Sequence, residues 1–136
     1  TGSGYQTAVL CELGAKVHSV ERISSLYQKA GKTLASLGYD AKLKLGDGTL
    51  GWKEHQPYDG IIVTAGAPQV PDALIRQLSP GGRLIIPVGT SASQEVHLVT
   101  RDPSQNFEDE PEVSVKKYNY FRFVPLIGEE GWKDGD

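Results

Sequence analysis

Methionine is absent from all 136 residues, even position 1, which fits a truncated or processed chain. Cysteine occurs once, at Cys11, so no internal disulfide can form, and the lone thiol fits a reducing compartment. Positive charge is not in excess: the formal net charge is −3, which excludes a nucleic-acid backbone as the main partner. No apolar run is long enough to span a membrane, and no signal peptide is visible. The three histidines, His18, His55 and His97, are scattered, and no spacing among them suggests a metal site. What remains is a chain that is 38% hydrophobic, enough for one domain with a small core.

The most informative string is the first. Thr1-Gly2-Ser3-Gly4-Tyr5-Gln6-Thr7 reads as the glycine turn between a buried strand and a helix, although the strand expected before it is absent. Glu21 closes a second strand-like run further on. A tight turn that admits a ligand to a helix N-terminus, followed by a carboxylate for ribose hydroxyls, is the nucleotide-binding arrangement of doubly wound α/β folds. A dinucleotide site would place a third glycine where Thr7 stands, which favours a smaller nucleoside ligand over NAD.

Periodicity supplies the remaining elements. Residues 5–13 fit a helix with Ala8, Val9 and Leu13 on one side and Gly14 at its end. Residues 16–20 alternate as a strand. Ser24 or Ser25 is expected to cap a second helix, with Leu26, Ala30, Leu34 and Leu37 as its inner stripe and Gly38 as its stop. Residues 41–45 form another alternating strand, ending in the turn Gly46-Asp47-Gly48. Ile61-Ile62-Val63 suits a parallel strand covered on both faces. Pro71 opens a short helix carrying Leu74, Ile75 and Leu78; Ser79-Pro80-Gly81-Gly82 ends it, and residues 83–88 and 96–100 follow as strands. Residues 102–112 read as an acidic surface loop, residues 113–126 as one or two strands, and residues 128–136 as a polar, frayed tail. The expected fold is therefore α/β: a Rossmann-like, doubly wound, mostly parallel sheet with its first strand missing and an antiparallel edge at the C-terminus. One domain spans residues 1–127, with the tail beyond it.

Other side chains that could carry chemistry read more simply as structure. Ser3 lacks the spacing of a nucleophile elbow. Cys11 is expected to pack rather than react, and Trp52 and Trp132 to anchor packing. Asp47, between two glycines at a strand's carboxyl end, can accept a hydrogen bond from an exocyclic amine such as that of adenine.

Taken in order, the strings Thr1-Gly2-Ser3-Gly4-Tyr5-Gln6-Thr7, Val20-Glu21-Arg22-Ile23, Gly46-Asp47-Gly48 and Tyr58-Asp59-Gly60-Ile61-Ile62-Val63-Thr64-Ala65 resemble the protein-L-isoaspartate O-methyltransferases. Leu78-Ser79-Pro80-Gly81-Gly82-Arg83-Leu84, Pro87-Val88-Gly89 and Arg122-Phe123-Val124-Pro125-Leu126 fit the same family. The glycine turn and Glu21 are shared by most methyltransferases of this fold, whereas the GDG–GW stretch and the FVPL string are more particular.

The resemblance implies a fold of the class I methyltransferase type with S-adenosylmethionine as cofactor. It implies methyl transfer to the free carboxylate of L-isoaspartyl residues in damaged proteins, as the first step of their repair. Thr1, Gly2, Ser3 and Gly4 would line the methionine and ribose part of the cofactor. Glu21, with Arg22 beside it, would hold the ribose, and Gly46, Asp47 and Gly48 the adenine. Gln94, Val124 and Leu126 would lie near the isoaspartyl substrate, and no metal is expected. The family's hydroxyl residue for the substrate carboxylate falls upstream of residue 1. The implied protein is a cytoplasmic monomer that acts on isoaspartyl proteins and peptides, with no nucleic-acid or membrane partner. Two alternatives remain open from the residues: another small-molecule methyltransferase of the class, or an inactive nucleotide-binding fragment. A nicotinamide dehydrogenase is disfavoured by Thr7.

Overall fold

The computed structural model describes residues 1–135. It divides into two compact units, residues 1–48 and 49–136, each taken by itself below.

The first unit follows the expected order. Helix α1 (Tyr5–Glu12) leaves the glycine turn, strand β1 (His18–Glu21) follows, and helix α2 (Ser24–Ser36) crosses to strand β2 (Lys42–Leu45). β1 and β2 pair in parallel, with Glu21 opposite Leu45, so this is a βαβ crossover. Ala30 and Leu34 bury the inner face of α2, with Leu26 half-buried. Leu37, expected on that stripe, is 65% exposed, because the helix ends at Ser36 and Leu37 is its C-cap. Gly38 then turns the chain at a φ of 79°, a left-handed conformation that favours glycine. Neither Ser24 nor Ser25 caps α2: both lie in its first turn, and Ile23 occupies the cap position in extended conformation.

The second unit is a four-stranded sheet in sequence order: β3 (Tyr58–Ile62), β4 (Leu78–Gly89), β5 (Gln94–Arg101) and β6 (Val113–Phe121). β3 and β4 are parallel, connected through helix α3 (Asp72–Arg76), whereas β5 and β6 add as an antiparallel edge. The fold is thus the expected Rossmann-like α/β type with that antiparallel edge. Leu78 lies on β4 rather than in α3 and is fully buried. The run from Ser79 to Gly82 is looped out of the ladder, since Tyr58 pairs with Leu78 but Gly60 pairs with Arg83. A side chain on Gly82 would sit 2.8 Å from the Ser79 carbonyl oxygen, so the bulge needs glycine there. Ala67, Leu74, Leu78, Leu84, Ile86 and Val99 form the core between α3 and one sheet face.

The loop after β5 is built around a buried cation. Arg101 is fully buried and donates to the carbonyl oxygens of Leu78 (2.7 Å), Phe107 (2.8 Å), Asp109 (3.0 Å) and Asn106 (3.3 Å). Four main-chain oxygens of β4 and the acidic loop therefore converge on one guanidinium, whose fork of donors suits such a task.

The tail is not frayed over residues 128–133. Trp132 N–H donates to the Leu126 carbonyl (2.8 Å) and Gly128 N–H to the Trp132 carbonyl (3.1 Å). Glu130 accepts from the Ala73 N–H at the start of α3 (3.1 Å), and its own N–H donates to buried Thr49 (3.2 Å). The polar composition of this segment serves hydrogen bonds to its own unit rather than solvation. No helix among the described residues is long and apolar enough to cross a membrane.

Candidate functional site

Open α/β sheets bind ligands beyond the carboxyl ends of their strands. In the first unit, that end of the β1–β2 pair carries the residues singled out from sequence. The turn before α1 is tight: Gly4 N–H donates to the Thr1 carbonyl at 3.0 Å, and Gly2 and Gly4 take φ values of 57° and 89°. Thr1 Oγ1 lies 2.6 Å from Ser19 Oγ, which fastens the turn to β1.

The two glycines serve different purposes. A side chain on Gly2 would meet nothing within 4 Å, so the turn is open to a ligand there. A side chain on Gly4 would touch Leu34 at 3.3 Å and Ala30 at 3.6 Å, so its bareness lets the turn pack on α2. Ser3 is exposed, and its hydroxyl accepts from Tyr5 N–H at 3.3 Å. Thr7 is buried within α1.

Glu21, the last residue of β1, is buried, and each of its oxygens accepts one backbone N–H: Oε1 from Gly2 (2.9 Å), Oε2 from Ile23 (3.0 Å). It thereby fixes the glycine turn to the strand and satisfies the cap position of α2 together. A carboxylate has about four acceptor positions, more than the N–H groups of Gly2 and Ile23 fill. Burial pushes the Glu21 pKa up, but the backbone N–H groups of Ile23, Gly2 and Arg22 hold the carboxyl below its ordinary range. The group is an anion, pre-oriented as an acceptor.

Arg22 is exposed, and no ion pair joins it to Glu21 among the described residues. Gly46 N–H donates to the Glu21 carbonyl at 2.9 Å, carrying the ladder one residue past β2. Asp47 and Gly48 follow at once, half-buried, so the Gly46-Asp47-Gly48 turn emerges at the same strand ends as Glu21. The structure thus brings Thr1, Gly2, Glu21 and the Asp47 turn to one end of one parallel pair.

The second unit holds the other predicted group. Beyond β3, residues 63–67 continue along β4: Val63 N–H donates to the Ile85 carbonyl (3.0 Å) and Ala67 N–H to that of Pro87 (2.9 Å). Gly66 bridges onward to the late FVPL string, its N–H donating to the Val124 carbonyl (2.7 Å) and its carbonyl accepting from Leu126 N–H (2.8 Å). Val124 is 69% exposed and Leu126 is half-buried against the core. Gln94 is buried, with its amide spent on backbone: Oε1 accepts from Phe123 N–H (2.7 Å) and Nε2 donates to the Thr90 carbonyl (2.6 Å). Gln94, Val124 and Leu126 therefore do come together, around a glycine that the sequence reading passed over.

A second buried glutamine was also missed. Gln77 accepts from Trp52 N–H and donates to the Leu50 carbonyl, both at 2.9 Å, and so holds the turn that follows the Asp47 segment. The available signal was a glutamine directly before the apolar Leu78 and a Gly-Trp pair after the GDG turn. Among the described residues no cluster of His, Cys, Asp or Glu could hold a metal ion.

A parallel βαβ unit with a glycine turn and a strand-end carboxylate in one unit, and a sheet with an antiparallel edge in the other, fit the Rossmann-like fold of class I methyltransferases. Comparison with known proteins narrows this. Residues 1–131 match the family of protein-L-isoaspartate(D-aspartate) O-methyltransferases, and the chain belongs to that family. A protein-L-isoaspartate O-methyltransferase of Chlorobaculum tepidum is 48% identical over 136 residues, all of this chain and 61% of that relative. A solved structure of a protein-L-isoaspartate O-methyltransferase superposes with a TM-score of 0.84 at 30% identity, covering 96% of this chain and 41% of the other. A Plasmodium falciparum structure, in complex with S-adenosyl-L-homocysteine, shares the fold with a TM-score of 0.67 at 22% identity, covering 91% of this chain and 58% of its own. The chain thus spans less than two thirds of the length of these relatives.

Proposed function

We propose that this chain binds S-adenosylmethionine and takes part in methyl transfer to the free carboxylate of L-isoaspartyl residues in damaged proteins. The observation that carries the reading is Glu21, an anion with one lone pair on each oxygen held by backbone N–H groups at the edge of an open glycine turn. A vicinal diol is the ligand group that two remaining acceptors of one carboxylate match. Family membership supplies the rest of the substrate's identity.

In this reading Thr1, Gly2, Ser3 and Gly4 form the wall against the methionine and ribose part, Arg22 flanks Glu21, and Gly46, Asp47 and Gly48 border the adenine. Residues 123–126 face the isoaspartyl peptide through Val124 and Leu126, with Gln94 behind them. Residues 1–127 make up the methyltransferase domain, and the whole protein acts as a cytoplasmic monomer on isoaspartyl proteins and peptides.

S-adenosylmethionine supplies a methyl group activated on a sulfonium. The substrate carboxylate, already ionised at neutral pH, would take up that methyl group and leave neutral S-adenosylhomocysteine. No proton moves, so the chain needs no general base. Its residues contribute position: Glu21 and the glycine turn hold the donor, and the 123–126 segment orients the acceptor.

The test is transfer of labelled methyl from S-adenosylmethionine to an isoaspartyl peptide, with the aspartyl peptide as control. Label on the isoaspartyl peptide alone is expected. Label on neither, or on both equally, would overturn the assignment for this chain.

A further inference from the structure

We infer that Gln94, Gly66 and Trp132 form a lock that sets the affinity for the isoaspartyl peptide without touching it, by holding residues 123–126 in place. The inference deepens the function proposed above and rests on it.

The segment follows β6, with Leu126 packed on the core and Phe123 edge-on to Phe121. Its main chain is held at three points. Phe123 N–H is taken by Gln94 Oε1 (2.7 Å), the Val124 carbonyl by Gly66 N–H (2.7 Å), and Leu126 N–H by the Gly66 carbonyl (2.8 Å). The Gly66 carbonyl has a second lone pair, which Trp132 fills through Nε1–H at 3.0 Å. Gln94 is itself held from the other side by the Thr90 carbonyl in the β4–β5 turn (2.6 Å). Gly66 must lack a side chain, since a Cβ would lie 2.7 Å from the Gln94 side-chain amide carbon. The tail, the β4–β5 turn and the segment after β3 therefore all close on one glycine.

Gln94 is 2% exposed and both ends of its amide are bonded to backbone, so it can act on a peptide only through the segment it holds. The outward face of the segment is Val124, 69% exposed, with Pro125 beside it. An extended segment loses conformational freedom when it is ordered. Here that loss falls on folding, so a peptide docking on Val124 meets a surface already in place. Gln94 and Trp132 are positioning residues in this scheme.

The test uses the 136-residue chain and two variants, Gln94→Met, which keeps bulk but loses both hydrogen bonds, and Trp132→Phe, which loses only the indole N–H. Three quantities are read: isoaspartyl-peptide affinity at saturating S-adenosylhomocysteine, affinity for S-adenosylhomocysteine itself, and amide exchange at Phe123 and Leu126. Gln94→Met is expected to weaken peptide binding about tenfold and Trp132→Phe about threefold, with faster exchange at these amides. Affinity for S-adenosylhomocysteine, whose contacts are assigned to the first unit, is expected to stay the same. Unchanged peptide affinity despite faster exchange would overturn the inference and leave the lock as fold support alone. Parallel loss of both affinities would overturn it too, as general destabilisation. If the unaltered chain binds no isoaspartyl peptide, the proposed function fails and the inference falls with it. If Gln94→Met does not fold, Trp132→Phe decides the matter alone.

Discussion

Glu21 and Gln94 do the same mechanical work with different chemistry. Each is a buried side chain whose oxygen accepts a main-chain N–H across a turn, at 2.9 and 3.0 Å for the two bonds of Glu21 and 2.7 Å for the one of Gln94. Glu21 is charged and an acceptor only, so after holding two N–H groups it still has unfilled positions and a net charge that calls for further donors. Gln94 is neutral and carries its own donor, which the Thr90 carbonyl takes up. Both arrangements organise a turn, the first with a net charge at its centre and the second with a neutral amide bonded at both ends.

Arg101 extends the comparison to a cation, and substituting it should have the largest effect. Arg101→Met removes the donors of four main-chain carbonyls, and we expect a loss of roughly 3–4 kcal/mol in unfolding free energy by denaturant titration. Affinity for S-adenosylhomocysteine should not fall in parallel. If it does, the division of labour between the two units is wrong.

The two glutamine braces should differ from one another. Gly51 has a φ of 64°, and a Cβ there would lie 2.2 Å from Gln77 Oε1, whereas Gly66 carries no positive φ and its Cβ would lie 2.7 Å from Gln94 Cδ. Gly51→Ala adds left-handed strain to the clash, so its melting temperature should drop further than that of Gly66→Ala, by about 2 kcal/mol against about 1 at the midpoint. Equal losses would show that the clash alone decides.

Glu21→Ala should weaken S-adenosylhomocysteine binding by roughly 1.5–3 kcal/mol in calorimetry, as expected for a charged acceptor. The same group gives a pH signature. Its folded pKa lies below the unfolded one, so its stabilisation is present above the ordinary glutamate range and is lost as pH falls through the lowered folded value. Glu21→Ala should flatten stability against pH in that acidic window. An unchanged slope would mean that the carboxylate is not held as described.

The smallest effect is expected at Arg76. Its guanidinium bonds Glu110 through two nitrogens (2.6 and 3.0 Å) and Asp72 through Nε, and these carboxylates hold its pKa above the usual arginine value, but the cluster is exposed. Solvent screens such pairs. Arg76→Ala should leave the melting temperature nearly unchanged, the more so in high salt. A loss comparable to that of Arg101→Met would contradict the distinction between buried and exposed clamps.

Much of the candidate site's geometry was legible because it rests on local chemistry. A glycine turn, a strand-end carboxylate and an Asp between two glycines announce themselves by residue type and spacing, and Gly2, Glu21 and Asp47 do lie at one end of one strand pair. The second helix was legible in its stripe but not in its cap, because the cap's partner is Glu21, which the strand supplies, and not a serine of the helix. The polar tail misled, because composition cannot distinguish a side chain solvated by water from one bonded to a distant part of its own unit. Glu130 reaches Ala73 and Trp132 reaches Gly66 across 57 and 66 positions of chain. Gln77 and Gly66 were passed over for the same reason: their significance is a partner far away in sequence.

The sequence by itself determined the α/β class and the glycine turn with a strand-end carboxylate beside it, since these depend on backbone conformations and on contacts within one βαβ unit. Only the tertiary structure decided which buried groups are satisfied. It showed that Gly4 is bare for Leu34 and not for a ligand. It also showed that Gln94 bonds backbone through both its amide oxygen and its nitrogen, whereas Glu21 takes up backbone N–H groups as an anion. Hydrogen-bond saturation belongs to pairs of atoms brought together by folding, and no single residue type carries it.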